Sequence, residues 1–411
     1  MEKLSKKIGF VIPWYSEKIP GGAEMALRGI TTQLHARGVE LEILTTCVKE
    51  FSANWNENFF KEGVEVIHGF NVRRFKVRKR DTAAFDAVNL KLMNGQRLTP
   101  EEEKTFVREM VNSPALYKYM EEYKDEYSIF VFIPYMFGTT YYGAQVCPEK
   151  SVAVPCFHDE PYVYLDIFKS VFENIAGLIY NAAPEHTLAN QVFDLSKVKQ
   201  EVVGVGVDTS LTTDPEAFRK KFKIKEPFIL YAGRKDSGKN VHTLVKYYSE
   251  YIKRQETELR LVLIGGGRIE LPEELVQNGR IVDLGFVDLQ DKYNAQGAAE
   301  LLCQPSHNES FSLVIMESWL CGRPTLVSAD CDVTRNFVSE SNGGLYFKDY
   351  FEFEGAVNYI VNNKETADVM GENGKRYVKE RFSWDAVTEK YMRLFSEIEK
   401  KLEKTGESDN A

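Results

Sequence analysis

At 411 residues the chain is too long for one ordinary core and suits two α/β domains. Its make-up, 43% hydrophobic and 27% charged, is that of a globular protein, and no apolar run approaches the roughly 20 residues that span a bilayer. A net charge of −9 argues against nucleic acid as a partner. The six cysteines are scattered, with no C-x-x-C and no nearby histidine spacing for zinc, a pattern that fits a reducing cytosol. The basic 1–7 stretch runs straight into a strand and leaves no room for a signal-peptide core, so a cytoplasmic location is expected.

The first part reads strand, helix, strand at 8–12, 22–37 and 39–45, the alternation of βαβ units in a parallel sheet. Strand candidates at 64–68 and 72–77 follow. From 81 to about 126 the periodicity is helical, and Thr99-Pro100-Glu101-Glu102 makes a helix start: N-cap threonine, proline at N1, acids in the first turn. Strands resume at 128–133, 151–155, 177–181 and 200–203. A polar stretch, 208–226, reads as a linker. A second alternating series then runs through strands at 228–232, 259–264, 281–284, 300–303, 324–328 and 344–347, with helices at 240–253 and about 311–320. The last helix starts at Trp384, and a polar tail, 405–411, is expected to be disordered. The expected domains are therefore 1–207, with a helical insert at about 81–126, and 208–383; the helix 384–404 is expected to pack back towards the first.

In doubly wound sheets ligands bind at the carboxyl ends of strands, so the loops there carry the chemistry. After the first strand comes Trp14-Tyr15, then Gly21-Gly22-Ala23-Glu24 leading into a helix. A glycine pair at a helix start lets main-chain N–H groups approach an anion, although it is more often only a turn. The G-x-G-x-x-G fingerprint and its acid are missing, which counts against a dehydrogenase. The second series opens with Gly233-Arg234 and, five residues on, Lys239 at a helix start. Two such cations can clamp a diphosphate and stabilise it as it leaves, or can be two solvated loop cations. Glu309 ends a loop, and Glu317 follows eight residues later among Leu313, Ile315, Met316 and Trp319. If both were helical they would lie near one face, roughly 12 Å apart along the axis. A carboxylate in that apolar setting needs a partner, either a ribose diol or an internal Arg or Lys. The stretch Ser310-Phe311-Ser312-Leu313 would point free amides between the two acids.

These motifs, in this order, make the chain resemble glycosyltransferase family 4, the retaining group with the GT-B fold. The resemblance spans nearly the whole chain: Gly21, Gly22 and Glu24; Phe157-His158-Asp159; Gly233, Arg234 and Lys239; Gly265 to Gly267; Gly285-Phe286-Val287; and the pair Glu309 and Glu317. It implies two Rossmann-like domains facing a cleft, with a nucleoside-diphosphate sugar as co-substrate and no cofactor or metal. Arg234 and Lys239 would then hold the diphosphate, Glu317 the ribose, Glu309 the sugar hydroxyls, and His158, with Asp159 beside it, the donor sugar. Gly265 would belong to the family's glycine turn at the donor, and Phe286 and Val287 to its base-contacting segment. The chain departs from the family in lacking Pro-Asn before the linker, and in Ser310 and Ser312 where glycines are common. Asp330-Cys331-Asp332 spells the D-x-D of a different transferase fold and is read as accidental.

The acceptor is where the residues say least. The basic run Arg73, Arg74, Lys76, Arg78, Lys79 and Arg80 can meet an anionic acceptor or a membrane surface, or simply be a strand end emerging into solvent. With Trp14, Tyr15 and Tyr135 it forms the candidate acceptor side, which the insert is expected to help shape. The expectation is transfer of a hexose-type sugar to a glycan or lipid-linked acceptor in bacterial surface polysaccharide (O-antigen or capsule) synthesis, possible at the inner face of the membrane. The competing readings are a nucleotide-sugar epimerase or hydrolase on the same fold, and a binding scaffold without activity.

Overall fold

The computed structural model describes residues 4–17 and 21–408, with the main chain alone for 405–408. Two units divide the chain: one holds the residues up to Gly206 and those from Trp384 onward, the other Val207–Ser383. The chain therefore passes between them twice.

In the first unit the elements run β1 (Lys7–Ile12), α1 (Gly22–Ala36), β2 (Leu41–Thr46), β3 (Gly63–Ile67), β4 (Phe70–Phe75), α2 (Thr82–Met93), α3 (Pro100–Glu109), α4 (Pro114–Tyr123), β5 (Tyr127–Phe132), α5 (Gly138–Gly143), β6 (Ser151–Ala153), α6 (Lys169–Phe172), β7 (Gly177–Tyr180), α7 (Ala183–Val192) and β8 (Lys199–Val202). The sheet order is β3-β4-β2-β1-β5-β6-β7-β8. All neighbours are parallel except β3 and β4, an antiparallel pair at the edge, which departs from a purely parallel reading. Strands buried on both sides read as continuous apolar runs, as Tyr127–Phe132 does, each residue of it buried.

Each face of this sheet has its own cover. On one, α1 contributes Leu27, Ile30 and Leu34 to a cluster with Phe10, Ile12, Ile43 and Val131. On the other, the insert packs Phe85, Val88, Leu92, Phe106, Val107, Leu116 and Met120 against Phe130 and Phe132. The insert is thus a core layer, and α3 has the Thr99 cap that the sequence suggests. Asp81 accepts from Ala84 N–H at 3.0 Å, and Thr99 and Glu102 form a reciprocal capping box.

The second unit runs α8 (Pro215–Phe222), β9 (Phe228–Ala232), α9 (Val241–Arg254), β10 (Arg260–Ile264), α10 (Glu273–Gln277), β11 (Ile281–Gly285), α11 (Leu289–Ala298), β12 (Leu301–Gln304), α12 (Leu313–Leu320), β13 (Thr325–Ser328), α13 (Asp332–Ser341), β14 (Gly344–Phe347), α14 (Tyr350–Asn362) and α15 (Lys364–Arg381). Its sheet, ordered β11-β10-β9-β12-β13-β14, is parallel throughout. The polar 208–226 stretch is no linker. Asp214 caps α8, Phe218 is fully buried, and Arg219 donates to the Ala298 carbonyl at 3.0 Å, so its charged residues dress one face of a docked helix.

The last helix, α16 (Trp384–Ser408), extends past the expected start of the tail; 405–408 are helical in main chain, and 409–411 lie outside the described residues. Val387, Tyr391, Leu394, Phe395 and Ile398 recur at helical spacing and complete the α1 face of the first unit's core. The Trp384 ring lies where a Cβ on Gly29 or Gly206 would be. Gly29→Ala should therefore destabilise the protein by about 1–3 kcal/mol through overpacking, although alanine is the better helix former by about 1 kcal/mol. At Gly355, within α14, an added Cβ meets nothing within 4 Å, and Gly355→Ala should stabilise. Urea unfolding of both variants checks the opposite signs.

Candidate functional site

In the second sheet β9 neighbours β10 on one side and β12 on the other, so successive crossovers diverge between β9 and β12. This switch point leaves a crevice at the strands' carboxyl ends. The loops that flank it carry Arg234 and Lys239 (after β9) and Glu309 (after β12). They meet directly: Lys239 Nζ donates to Glu309 Oε1 at 2.7 Å, and Gln304 Nε2 donates to the same oxygen at 3.0 Å. Arg234 stays available, its side chain 71% exposed and 3.4 Å from Asp236. Tyr231 beneath it donates its hydroxyl to the Arg234 carbonyl at 2.5 Å, which fixes the loop's path.

Glu309 and Glu317 are not on one helix. The helix begins at Leu313, so Glu309 belongs to the loop and the axial spacing for two helical acids does not apply. Glu317, 8% exposed, has the internal cation that its apolar setting requires: Lys292 Nζ donates to Oε1 at 2.7 Å. Gln296 Nε2 reaches Oε2 at 3.5 Å. Lys292 and Gln296 are one turn apart on α11, and neither stood out in the sequence, because a helix pair in contact is not visible from either helix alone.

A third pair lies behind these. Lys235, its side chain 1% exposed, donates to Asp283 at 2.7 Å and to the Gly265 carbonyl at 2.6 Å. It joins the loops after β9 and β10 to strand β11. Gly265 has φ +122, and a Cβ there would overlap the Gly233 carbonyl, so the two loops touch main chain to main chain. Phe286, three residues past Asp283, is 79% exposed and lies over Gly266, with Val287 beside it half-buried. A lysine in a polar loop reads as solvated, so Lys235 gave no signal.

At the start of α12, Ser312 caps the helix in a left-handed conformation, φ 89, that glycine would adopt without strain. Its hydroxyl is buried with no partner among the described residues. Ser310 is partly exposed, while Phe311 is 3% exposed, packed on Phe337 and Phe382. Only the main chain of Phe311 faces outward chemistry. Leu313 is half-buried at the first helical position.

In the first unit, Gly21 is the N-cap of α1 and Gly22 its first residue. A Cβ at Gly22 meets nothing, whereas one at Gly21 would overlap the Glu24 carboxylate, which Trp14 Nε1 holds by a hydrogen bond. His158 is 29% exposed, its Nδ1 3.6 Å from Glu160. Asp159 is exposed and accepts the Tyr164 hydroxyl at 2.7 Å. Three expected acceptor residues are interior. Trp14 stacks with Phe51, Trp55 and Phe137; Tyr15 is fully buried; and Tyr135, also fully buried, donates to Glu160 at 3.2 Å. Their rings complete the core, so they offer no open face.

The arginines of the basic run are largely engaged by neighbours, although only Arg74 is buried. Arg73 donates to Glu42 at 2.9 Å and lies 4.5 Å over Tyr119. Arg74, 3% exposed, pairs with Glu65 and covers Phe60; Arg78 pairs with Glu109; Arg80 lies over Trp55 and Phe85. Guanidinium planes stack well on aromatic faces, and the flanking acids absorb their charge. Lys76 and Lys79 alone of the run are exposed, Lys76 with Glu62 at 3.4 Å. Of Asp330-Cys331-Asp332, Cys331 is buried and Asp332 pairs with Arg335 within its own helix. No helix among the described residues is long and apolar enough to cross a membrane.

Ser312→Gly should raise stability by about 1 kcal/mol, the cost of a non-glycine residue in this region. Lys292→Met should lower it by about 1–3 kcal/mol, because Glu317 would be left buried and unpaired. Denaturant midpoints check both.

Comparison with known proteins gives these loops a context. Residues 214–377 match the family described as Glycosyl transferases group 1. The O-antigen chain mannosyltransferase C of Escherichia coli is 26% identical over 184 residues, 43% of this chain and 48% of that protein. The chain spans about half the length of the curated relatives it matches. Among solved structures, sucrose-phosphate synthase from Thermosynechococcus elongatus is similar at TM-score 0.69 and 19% identity, over 96% of this chain and 99% of that one. Anabaena HepE in complex with UDP is similar at TM-score 0.69 and 16% identity, over 95% and 100%. Over residues 214–377 the chain is thus similar to group 1 glycosyl transferases, and its two α/β units have the fold of these solved glycosyltransferase structures.

Proposed function

We propose that the protein is a retaining, metal-independent glycosyltransferase that takes a hexose-type sugar from a nucleoside-diphosphate donor. The observation that carries this reading is the meeting of Lys239 and Glu309 at the switch point, beside the partnerless Ser312 hydroxyl at a helix start. Without ligand the lysine's charge is held by the acid. With a nucleotide sugar bound, Lys239 and the exposed Arg234 hold the diphosphate, joined by Ser312 and the first amides of α12. Glu309 then accepts hydrogen bonds from sugar hydroxyls close to the reacting carbon. Glu317 serves the ribose with the oxygen lone pairs that Lys292 and Gln296 leave over, and the exposed Phe286 ring lies along the base.

The chemistry follows from this donor set. A phosphate clamp stabilises charge growing on the leaving diphosphate. In a front-face displacement that diphosphate takes the acceptor proton as an oxocarbenium-like species forms, and the new bond keeps the donor's configuration. His158 contacts the donor sugar, the part the family resemblance gives it.

HepE was solved with UDP, and the Escherichia coli relative is named for O-antigen mannosyl transfer. These support a nucleoside-diphosphate donor such as a uridine diphosphate sugar and a surface-polysaccharide acceptor. An acceptor carried on a lipid would bring the protein to the inner face of the membrane, and Lys76 and Lys79 are the cations of the 73–80 run left for such contact.

A thermal-shift panel of nucleoside diphosphates and their sugars tests the reading. The matching base should stabilise the protein by about 2.7 kcal/mol at a hundredfold excess over Kd, and Arg234→Ala should abolish most of that gain. No shift with any nucleotide would overturn the proposal. Glu309→Ala should lower turnover by about a hundredfold or more. Free sugar as the main product from donor in the presence of candidate acceptors would favour a hydrolase instead.

A further inference from the structure

One buried carboxylate in the first unit has no part in the reading so far. Glu185 is the third residue of α7 and 2% exposed. Its Oε2 accepts the Asn181 N–H at 2.7 Å, four residues back, in the manner of a helix-capping acid. Its Oε1 leaves the helix altogether and accepts the Phe157 N–H at 2.8 Å. Phe157 belongs to the loop after β6, where Cys156 is left-handed at φ 57 and His158 and Asp159 follow. Asn181 Nδ2 also reaches Cys156 Sγ at 3.4 Å, a second tie between the two loops. A cap needs only the first bond; the second holds a different loop.

We propose that Glu185 is a positioning residue: as a carboxylate it ties the loop that presents His158 to the donor sugar, through the Phe157 amide, to the Asn181 amide at the start of its own helix. This rests on the reading of His158 given above. An ionised carboxylate offers acceptors on both oxygens, whereas a protonated one turns one oxygen into a donor that faces an N–H. Protonation therefore releases one arm of the clamp. Burial pushes the Glu185 carboxyl up to about 7, against the pull of the Asn181 and Phe157 amides and of His158. The titratable groups that face it are His158 and Cys156 from the β6 loop, Tyr180 at the end of β7 and Tyr391 from α16. Since the folded value lies above the ordinary 4.5, this group's stabilisation is full below 4.5 and is lost as pH rises through about 7. The ionised clamp is thus kept at a cost in stability, as functional positions commonly are.

The test has one arm without substrate and one with it. Amide hydrogen exchange of the full chain should show Phe157 and Asn181 protected at about pH 8 and less so at about pH 6, and Glu185→Gln should lack the Phe157 protection at both. With UDP-glucose and GDP-mannose as donor probes, wild-type kcat should fall on the acid side with a midpoint near the same pH. Glu185→Gln should lower kcat about tenfold to a hundredfold with donor KM little changed, and should lose that acid limb. Glu185→Gln with intact protection, or with wild-type kcat and pH profile, would overturn the positioning role. Should that variant fail to fold, the wild type's own paired pH dependence of protection and kcat decides the matter. Failure of the underlying reading shows differently, as His158→Ala with wild-type turnover; this would remove the positioning role while leaving the protection result intact.

Discussion

A charge taken out of water has to find an opposite charge or hydrogen-bond partners, and the carboxyl edge of the second sheet meets that demand with three lysine–carboxylate pairs. Lys239 holds Glu309, Lys292 holds Glu317, and Lys235 holds Asp283. Each pair joins two loops or helices that the sheet topology brings together. The unit's polar chemistry is therefore spread over four strand ends and helices yet held in one layer.

The first unit solves a similar problem without lysine. Glu185 is satisfied by main-chain amides, which are weaker partners for a full charge, and its carboxyl stays close to neutrality in its affinity for protons. The second unit's acids are locked by opposite charges, whereas this one remains responsive. Elsewhere in the unit charges are quenched by packing: Arg73, Arg74 and Arg80 lie over aromatic rings, and the insert supplies one face of the core.

Much of the fold was legible because continuous apolar strands bounded by glycine turns and periodic helices are local signals. The edges of β9 and β14, the capping box at Thr99 and the apolar stripe of α16 all follow from spacing alone. The polar 208–226 stretch misled because a surface helix with one buried residue, Phe218, has little apolar periodicity. The candidate site was legible in its motif residues and not in their partners. Lys235, Lys292, Gln296 and Glu185 lie far along the chain from what they touch, and each alone resembles a solvated residue.

By itself the sequence determined the two α/β units, the loops that carry Arg234, Lys239 and Glu309, and the need of Glu317 for a partner, since these depend on local pattern and on the cost of burying charge. Only the tertiary structure decided which cation answers which acid, that Ser312 takes a left-handed turn with its hydroxyl unpaired among the described residues, that Trp14, Tyr15, Tyr135 and Arg74 are interior, and that the other arginines of the basic run are taken up by acids and rings. Such outcomes depend on which residues distant in the chain become neighbours. That is set by the strand order, to which no local pattern refers.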